Sequence, residues 1–313
     1  MRFSPCAPAE ARVPVSDGWS VLSILRTTTE FLEQRGIGEP RLSAEHLLAD
    51  VLDCRRLDLY LRYDRPLSPG EVDSYRSRVK RRLAGEPVQY ITGVAGFRGL
   101  ELAVDRRVLV PRPETERLVA EVLEWARARA ARGDAPERGW RILDLGTGSG
   151  AIACALAVEL EGVRRVVGSD RSVEALAVAR ANAERVGAVP VAWVAADGLT
   201  PFRSGPTFHA IVANLPYVAD SDRAALPVEV AGWEPPGALF AGPAGTEAIE
   251  ATVEVAPRCL ASGGLLALEV GRGQEAEARR RIDATPGLEF LASWRDLAGV
   301  ERGVLALADA REA

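Results

Sequence analysis

WRILDLGTGSG, residues 140–150, decides the fold. Ile142, Leu143 and Leu145 make a short apolar run that closes on Asp144 and on glycines at 146, 148 and 150. A run of that length bounded by glycine reads as a buried strand. The glycines let backbone amides come close to an anionic group at the start of the next helix, AIACALAVEL. The same rhythm repeats downstream. RRVVGSD is a strand followed by the helix SVEALAVARANAERVG. VAWVAAD and FHAIVANLPY are further strands, and after another helix comes the strand GGLLALEVG. Strands alternating with helices make a parallel sheet covered on both faces, an α/β fold of the doubly wound, Rossmann-like kind. The tail LEFLASWRDLAGVERGVLALAD holds two strand-like runs with no helix between them, so an antiparallel pair is expected at one sheet edge.

In such sheets a ligand lies beyond the carboxyl ends of the strands. Those ends carry Asp144 with Gly146, Thr147, Gly148 and Gly150, then Asp170 with Arg171, Asp197 with Gly198, and Asn214. They are the candidate cofactor residues. Asp170 follows Gly150 at the spacing of a carboxylate that accepts from two ribose hydroxyls. Two cofactors satisfy these residues, because GTGSGA also has the G-x-G-x-x-A form of a dinucleotide loop: a dinucleotide and S-adenosylmethionine.

The stretch IVANLPYVAD, residues 211–220, separates them. A strand that ends in Asn214, Leu215, Pro216 and Tyr217 sets a polar amide beside a rigid turn. An amide or aromatic amine is a poor nucleophile, because its lone pair is delocalised. Methylating it calls for acceptors that hold its N–H groups and aim the nitrogen at the methyl donor. The Asn214 side-chain oxygen and the Leu215 carbonyl are candidate acceptors. Pro216 stiffens the turn, and Tyr217 offers a ring for a planar target to stack on. Hydride transfer has no use for this arrangement.

The rest of the chain adds a second region. Residues 16–88 read as an all-helical domain. SVLSILRTTTEFLEQRG places Val21, Leu25, Thr28 and Leu32 on one face, and RLSAEHLLADVLDC does the same with Ala44, Leu47, Leu48, Val51 and Leu52. In SPGEVDSYRSRVKRRLAG, Ser68 caps, Pro69 stands at the first turn, Glu71 closes a capping box and Gly85 ends the helix. Its basic cluster Arg76, Arg78, Lys80, Arg81 and Arg82 reads as a solvated face. Residues 89–115 read as a linker in which FRGLELAVD and RRVLV pair as a β-hairpin, and 116–313 as the α/β domain. PRPETE, with Arg112, Pro113 and Glu116, is expected to form one wall of the site together with Phe97.

Composition excludes several classes. The chain has 313 residues, 47% hydrophobic and 27% charged, and a formal net charge of −5. No run of about 18 apolar residues spans a membrane, and the acidic balance with no basic stripe argues against nucleic acid. The start MRFSPCAPAEARVPV lacks a signal-peptide pattern and reads as a disordered tail over 1–15. The four cysteines have no metal-ligand spacing, so no metal is expected, and they read as reduced thiols of a cytoplasmic protein.

Taken together, LDLGTGSG with Asp170 resembles the cofactor motifs of class I S-adenosylmethionine-dependent methyltransferases. NLPY resembles the (N/D)-P-P-(Y/F) motif of those that methylate amide or exocyclic amino nitrogens. With GEPVQYITG, FRGLELAVD, VLVPRPETE, LPVEV, EPPGAL and GGLLALEVG, the chain from about residue 20 onward resembles the protein-(glutamine) N-methyltransferases. These modify the GGQ-motif glutamine of peptide-chain release factors. The resemblance implies S-adenosylmethionine as cofactor, a release factor as partner, and Asn214 to Tyr217 as the catalytic stretch. Leu215 departs from the usual Asn-Pro-Pro-Tyr, and Asn-Leu-Pro-Tyr is similar to the form in ribosomal-RNA adenine dimethyltransferases. A small amino-acid substrate, methylated at an amide or guanidine nitrogen, is the alternative, with nucleic-acid adenine behind it.

Overall fold

The structure is a computed structural model. It describes residues 18–309 apart from 203, 204, 206 and 297, so the tail expected over 1–15 lies outside the described residues. The chain forms two compact units that divide between Thr92 and Gly93.

The first unit packs helices α1 (Val21–Glu33), α2 (Pro40–Val51) and α4 (Pro69–Leu83) with two single turns, α3 (Asp58–Leu61) and α5 (Val88–Thr92). Its core is Val21, Ile24, Leu32, Leu47, Leu48, Leu59, Val72, Tyr75 and Val79. Ile24 takes the buried place on α1 expected of Leu25, which is only partly buried. The capping box forms as expected: Glu71 Oε2 accepts from Ser68 N at 2.8 Å and Ser68 Oγ accepts from Glu71 N at 3.3 Å. With Arg65 alongside at 2.7 Å, the Glu71 carboxyl is held down at about 2. The basic cluster on α4 is a solvated face only in part: Lys80 and Arg81 are exposed, whereas Arg76 and Arg78 are half-buried and Arg82 is buried. Arg78 pairs with Asp50 at 2.5 Å, Arg81 with Glu86 at 2.6 Å, and Arg82 is buried with its guanidinium on Ser43 and the Glu86 carbonyl.

The second unit begins with a hairpin, but not the expected one. Strand β1 (Val94–Phe97) pairs antiparallel with β2 (Leu100–Ala103), and Phe97 faces Leu100 across Arg98-Gly99. Both turn residues have positive φ, 47° and 75°, as a two-residue turn of matching twist requires. RRVLV forms no strand; Val108 and Val110 are buried without a ladder. Because β2 packs on the helix Val173–Val186 and Arg98 pairs with Glu159 at 2.5 Å, the hairpin is part of the second unit.

Then follow α6 (Pro113–Ala131), β3 (Trp140–Leu145), α7 (Ala151–Glu159), β4 (Val163–Asp170), α8 (Val173–Val186), β5 (Val191–Ala195), β6 (Phe208–Ala213), β7 (Val218–Ala219), α9 (Val228–Ala231), α10 (Pro236–Leu239), β8 (Phe240–Gly242), α11 (Glu247–Cys259), β9 (Leu260–Glu269), α12 (Glu275–Asp283), β10 (Leu288–Arg295) and β11 (Glu301–Ala308). Seven strands form one sheet in the order β10-β11-β9-β6-β3-β4-β5. The five from β9 to β5 are parallel, and β10 and β11 close one edge as an antiparallel pair. Period-2 alternation feeds two cores. Ile142, Ala210, Val212, Leu265 and Ala267 face α6 and α7. Leu143, Ile211, Ala213, Leu266 and Leu268 face α11 and α12. A central sheet buried on both faces needs such continuous apolar strands. Among the described residues, no helix is long and apolar enough to cross a membrane.

Candidate active site

A cleft of about 620 Å³ opens at the carboxyl ends of β3, β4, β5 and β6. Gly146, Gly148, Asp170, Arg171, Asp197, Gly198, Asn214, Leu215 and Pro216 all line it, so strand-end residues far apart in sequence meet there. Phe240, Ala248 and Thr252 close its other side.

The glycine loop is held from below. Gly148 N donates to Asp170 Oδ2 at 2.9 Å and Ser172 N donates to Asp170 Oδ1 at 2.9 Å. A carboxylate has about four lone-pair positions, so Asp170 retains acceptor capacity toward the cleft. Gly150, at φ 81°, starts α7 where a Cβ would stand 3.0 Å from Ala179. Asn182, fully buried, clamps the loop to the hairpin: its Nδ2 donates to Ser149 O and Ala103 O, each at 2.9 Å, and its Oδ1 accepts from Ala103 N at 2.7 Å.

Asp144, Thr147 and Gly150 do not line the cleft. Asp144 is fully buried behind the loop, where Oδ2 accepts from Thr147 Oγ1 at 2.5 Å and from Ala153 N at 3.0 Å. Burial pushes its carboxyl up to about 7. These three shape the loop from behind, with the Asp144 side chain turned to the interior.

At the end of β6 the Asn214 amide nitrogen donates to Thr115 Oγ1 at 3.0 Å, and Thr115 Oγ1 donates to Glu269 Oε2 at 2.7 Å. Thr115 comes from the first turn of α6 and Glu269 from the end of β9. Both are buried, at 4% and 3% exposure. Burial pushes the Glu269 carboxyl up to about 7, against the pull of Thr115, Arg302 and Arg112. Leu215 lies over the loop: a Cβ at Gly146 would stand 3.2 Å from Leu215 Cδ2. Tyr217 is half-buried against the α11 core and does not line the cleft, and burial raises its hydroxyl to about 12. The stacking platform expected of it is therefore turned toward Gly271, where a Cβ would meet the ring at 3.0 Å.

The wall expected from PRPETE and Phe97 takes another form. Phe97 is 1% exposed inside the core, because hairpin alternation turns Ala95 and Phe97 inward together. Glu116 faces the hairpin turn and accepts from Arg98 N at 2.9 Å. Pro113 is an exposed first-turn residue. Arg112 pairs at 2.5 Å with Glu234, whose carboxyl burial raises, so that α6 is tied to the EPPGAL segment. Thr115, Glu269 and Glu247 escaped the sequence reading. Thr115 sat within PRPETE unremarked, and Glu269 closes a strand as Asp170 does, so the strand-end rule applied to GGLLALEVG is the signal that would have found it. Glu247 lines the cleft, accepts from Ala244 N at 2.8 Å, and its buried Oε2 has no partner among the described residues.

A parallel sheet with an antiparallel edge, a glycine loop opposite a strand-end carboxylate, and an Asn-x-Pro-Tyr turn define a class I S-adenosylmethionine-dependent methyltransferase. The PrmC N-terminal domain family matches residues 23–93, and a methyltransferase domain family matches 142–237. A release factor glutamine methyltransferase of Chlorobaculum tepidum is 41% identical over 278 residues, covering 87% of this chain and 92% of its own. One of Geobacter sulfurreducens is 39% identical over 91% of this chain and 96% of its own. The chain belongs to the release factor glutamine methyltransferase family. Among solved structures, a methyltransferase of Pyrococcus furiosus aligns with TM-score 0.48 at 17% identity, over 74% of this chain and 98% of that one.

S-adenosylmethionine is the cofactor, and the residues present fit it. The cleft offers the side-chain-free faces of Gly146 and Gly148, which a ligand can approach closely, and its carboxylates Asp170, Asp197 and Glu247 suit a ligand carrying ribose and positive charge. The unpartnered Glu247 Oε2 is an acceptor of the kind such a cation takes up.

Proposed function

We propose that this chain transfers a methyl group from S-adenosylmethionine to the side-chain amide nitrogen of a glutamine in a peptide-chain release factor, in the cytoplasm, with Asn214 as the residue that receives the target nitrogen. The observation that carries the reading is the orientation of Asn214. Its nitrogen is taken by Thr115, so its oxygen is left for an incoming N–H. The family supports the choice of substrate, and the acceptor at the cleft wall supports the chemistry.

When bound, S-adenosylmethionine supplies an electrophilic methyl group on a cationic sulfur. The protein does the rest by positioning. Gly146 and Gly148 let the cofactor come close to the loop backbone, and Asp170 accepts from its ribose hydroxyls. Arg171, Asp197 and Gly198 wall the remainder. Asn214 Oδ1 and the Leu215 carbonyl accept the two N–H bonds of the target amide. This fixes the nitrogen in line and favours the positive character it gains during transfer. Pro216 holds both acceptors by restricting the turn. Leucine in place of proline at 215 leaves the carbonyl and adds a side chain that packs on Gly146.

The test is transfer of labelled methyl from S-adenosylmethionine to a panel of release factors, free amino acids and RNA, with the modified residue located by mass spectrometry. Label on a release-factor glutamine is the expected result. Label confined to RNA or to a free amino acid overturns the reading.

A further inference from the structure

We infer that Thr115 and Glu269 are positioning residues: the Glu269 carboxylate commits the Thr115 hydroxyl proton, and Thr115 thereby fixes the Asn214 amide with Oδ1 toward the target nitrogen. The inference rests on the methyl-acceptor role of Asn214 proposed above.

An asparagine amide has two ends of nearly the same shape, one a donor and one an acceptor. A turn at a strand end does nothing by itself to tell them apart. If Nδ2 faced the cleft, a donor would confront the N–H donors of the target amide. The structure removes the ambiguity by a chain of hydrogen bonds across three elements. Glu269, at the end of β9, accepts when ionised and cannot donate. Thr115 has a single proton, which goes to Glu269 at 2.7 Å. Its oxygen therefore meets Asn214 only as an acceptor, and the group 3.0 Å away is Nδ2. The three side chains come from α6, β6 and β9, and the register that pairs Ala213 with Leu268 brings Asn214 level with Glu269. Thr115 and Glu269 are both buried, so water does not substitute for either.

The same chain makes orientation depend on protonation. A neutral Glu269 donates to Thr115, whose proton is then released to face Asn214, and the amide gains by turning its oxygen inward. The groups that act on Glu269 are Arg112 and Glu114 at the start of α6, Tyr217 after β6 and Arg302 on β11. Arg302 is itself paired with Asp296 at 2.8 Å. Burial dominates and raises the carboxyl to about 7, which puts the transition within a measurable pH range.

Three variants and one spectroscopic measurement test this. Thr115→Val keeps the shape and removes the hydroxyl. It should lower kcat on the release factor by about 10- to 100-fold, less than outright loss of a preorganised contact, with the S-adenosylmethionine Kd by calorimetry within about threefold, under 1 kcal/mol. Thr115→Ser restores the hydroxyl and should bring kcat back to within about threefold of the parent. Glu269→Gln should abolish the acidic limb of the kcat–pH profile. On the unmodified protein, the Asn214 side-chain amide resonance should titrate with an apparent pKa near 7 and lose that titration in Glu269→Gln. An unchanged kcat in Thr115→Val, a loss matched by cofactor affinity, or an Asn214 resonance indifferent to Glu269 overturns the positioning role. If the parent methylates no glutamine yet Asn214 titrates with Glu269, the substrate reading fails and the positioning stands.

Discussion

Asn214 and Asp170 do different work, and single substitutions separate them. If Asn214 Oδ1 accepts from a nitrogen that becomes more positive as the methyl transfers, its contribution grows toward the transition state. Asn214→Ala is then expected to lower kcat by about 10²- to 10³-fold, with little change in KM, as removal of one preorganised polar contact does. Steady-state kinetics on the release factor checks it, and a near-parental kcat would leave the NLPY stretch as a mere turn. Asp170→Ala should act on cofactor binding. It removes an acceptor for ribose and also the anchor of Gly148 N and Ser172 N, so calorimetry should find affinity about tenfold weaker or more. Both residues were legible in the sequence because strand ends are marked by composition: an apolar run stops at a polar residue. Thr115 and Glu116 were not distinguishable that way. They are neighbours on one helical turn, and which of them faces Asn214 depends on how α6 is rotated about its axis. That rotation is set by the packing of Leu118, Val119 and Val122 on the sheet. The glutamate was the more conspicuous residue and faced the hairpin; the threonine faced the site.

Elements were read well where periodicity was strong and poorly where pairing partners had to be chosen. The five parallel strands and the edge pair follow from long apolar runs separated by helices. The hairpin did not, since VAGF and RRVLV both alternate around LELA, and only the positive-φ pair Arg98-Gly99 selects the former. Helix α12 was missed because it buries only Ala278 and Ile282 among charged residues, and β7 and β8 are too short to carry a pattern. Gly168 is an element-level clue of another kind, since a glycine within a strand signals close approach. It stands opposite Trp193 on β5, and a Cβ there would lie 2.3 Å from the indole ring. That ring also lies beneath Gly150, where a Cβ would meet it at 3.2 Å. Gly168→Ala should therefore displace Trp193 into the loop it supports, at a cost of about 1–3 kcal/mol typical of overpacking. Thermal unfolding should record a lower Tm and calorimetry a weaker cofactor affinity. A loss of Tm with intact affinity would mean that Trp193 supports the sheet and not the loop.

At the scale of the whole molecule, the buried carboxyls of the second unit tie stability to pH, and the sign can be worked out group by group. Glu269 titrates near 7 in the folded protein and at about the ordinary 4.5 when unfolded. Between those values the native state binds the extra proton, so this group favours folding below about pH 4.5 and loses that contribution as pH rises through 7. Asp144, raised to about 7 by burial, acts in the same direction. His209 opposes them. Burial lowers it to about 4, so its contribution is present above its ordinary 6.5 and is lost as pH falls through 4. Glu71, held at about 2, contributes fully above 4.5 and does not change at neutral pH. The opposing slopes overlap below about 6.5, so the parent curve alone cannot isolate any one group. A difference curve does, because His209, Asp144 and Glu71 are common to both proteins and cancel. Urea unfolding of the parent and of Glu269→Gln from pH 5 to pH 8 should show the variant gaining relative stability as pH rises. The change should be of the order of 2–3 kcal/mol, at roughly 1.4 kcal/mol per unit of pKa displacement. A difference that stays flat across that range would place the Glu269 carboxyl at its ordinary value, and with it remove the neutral-pH transition of the Asn214 amide.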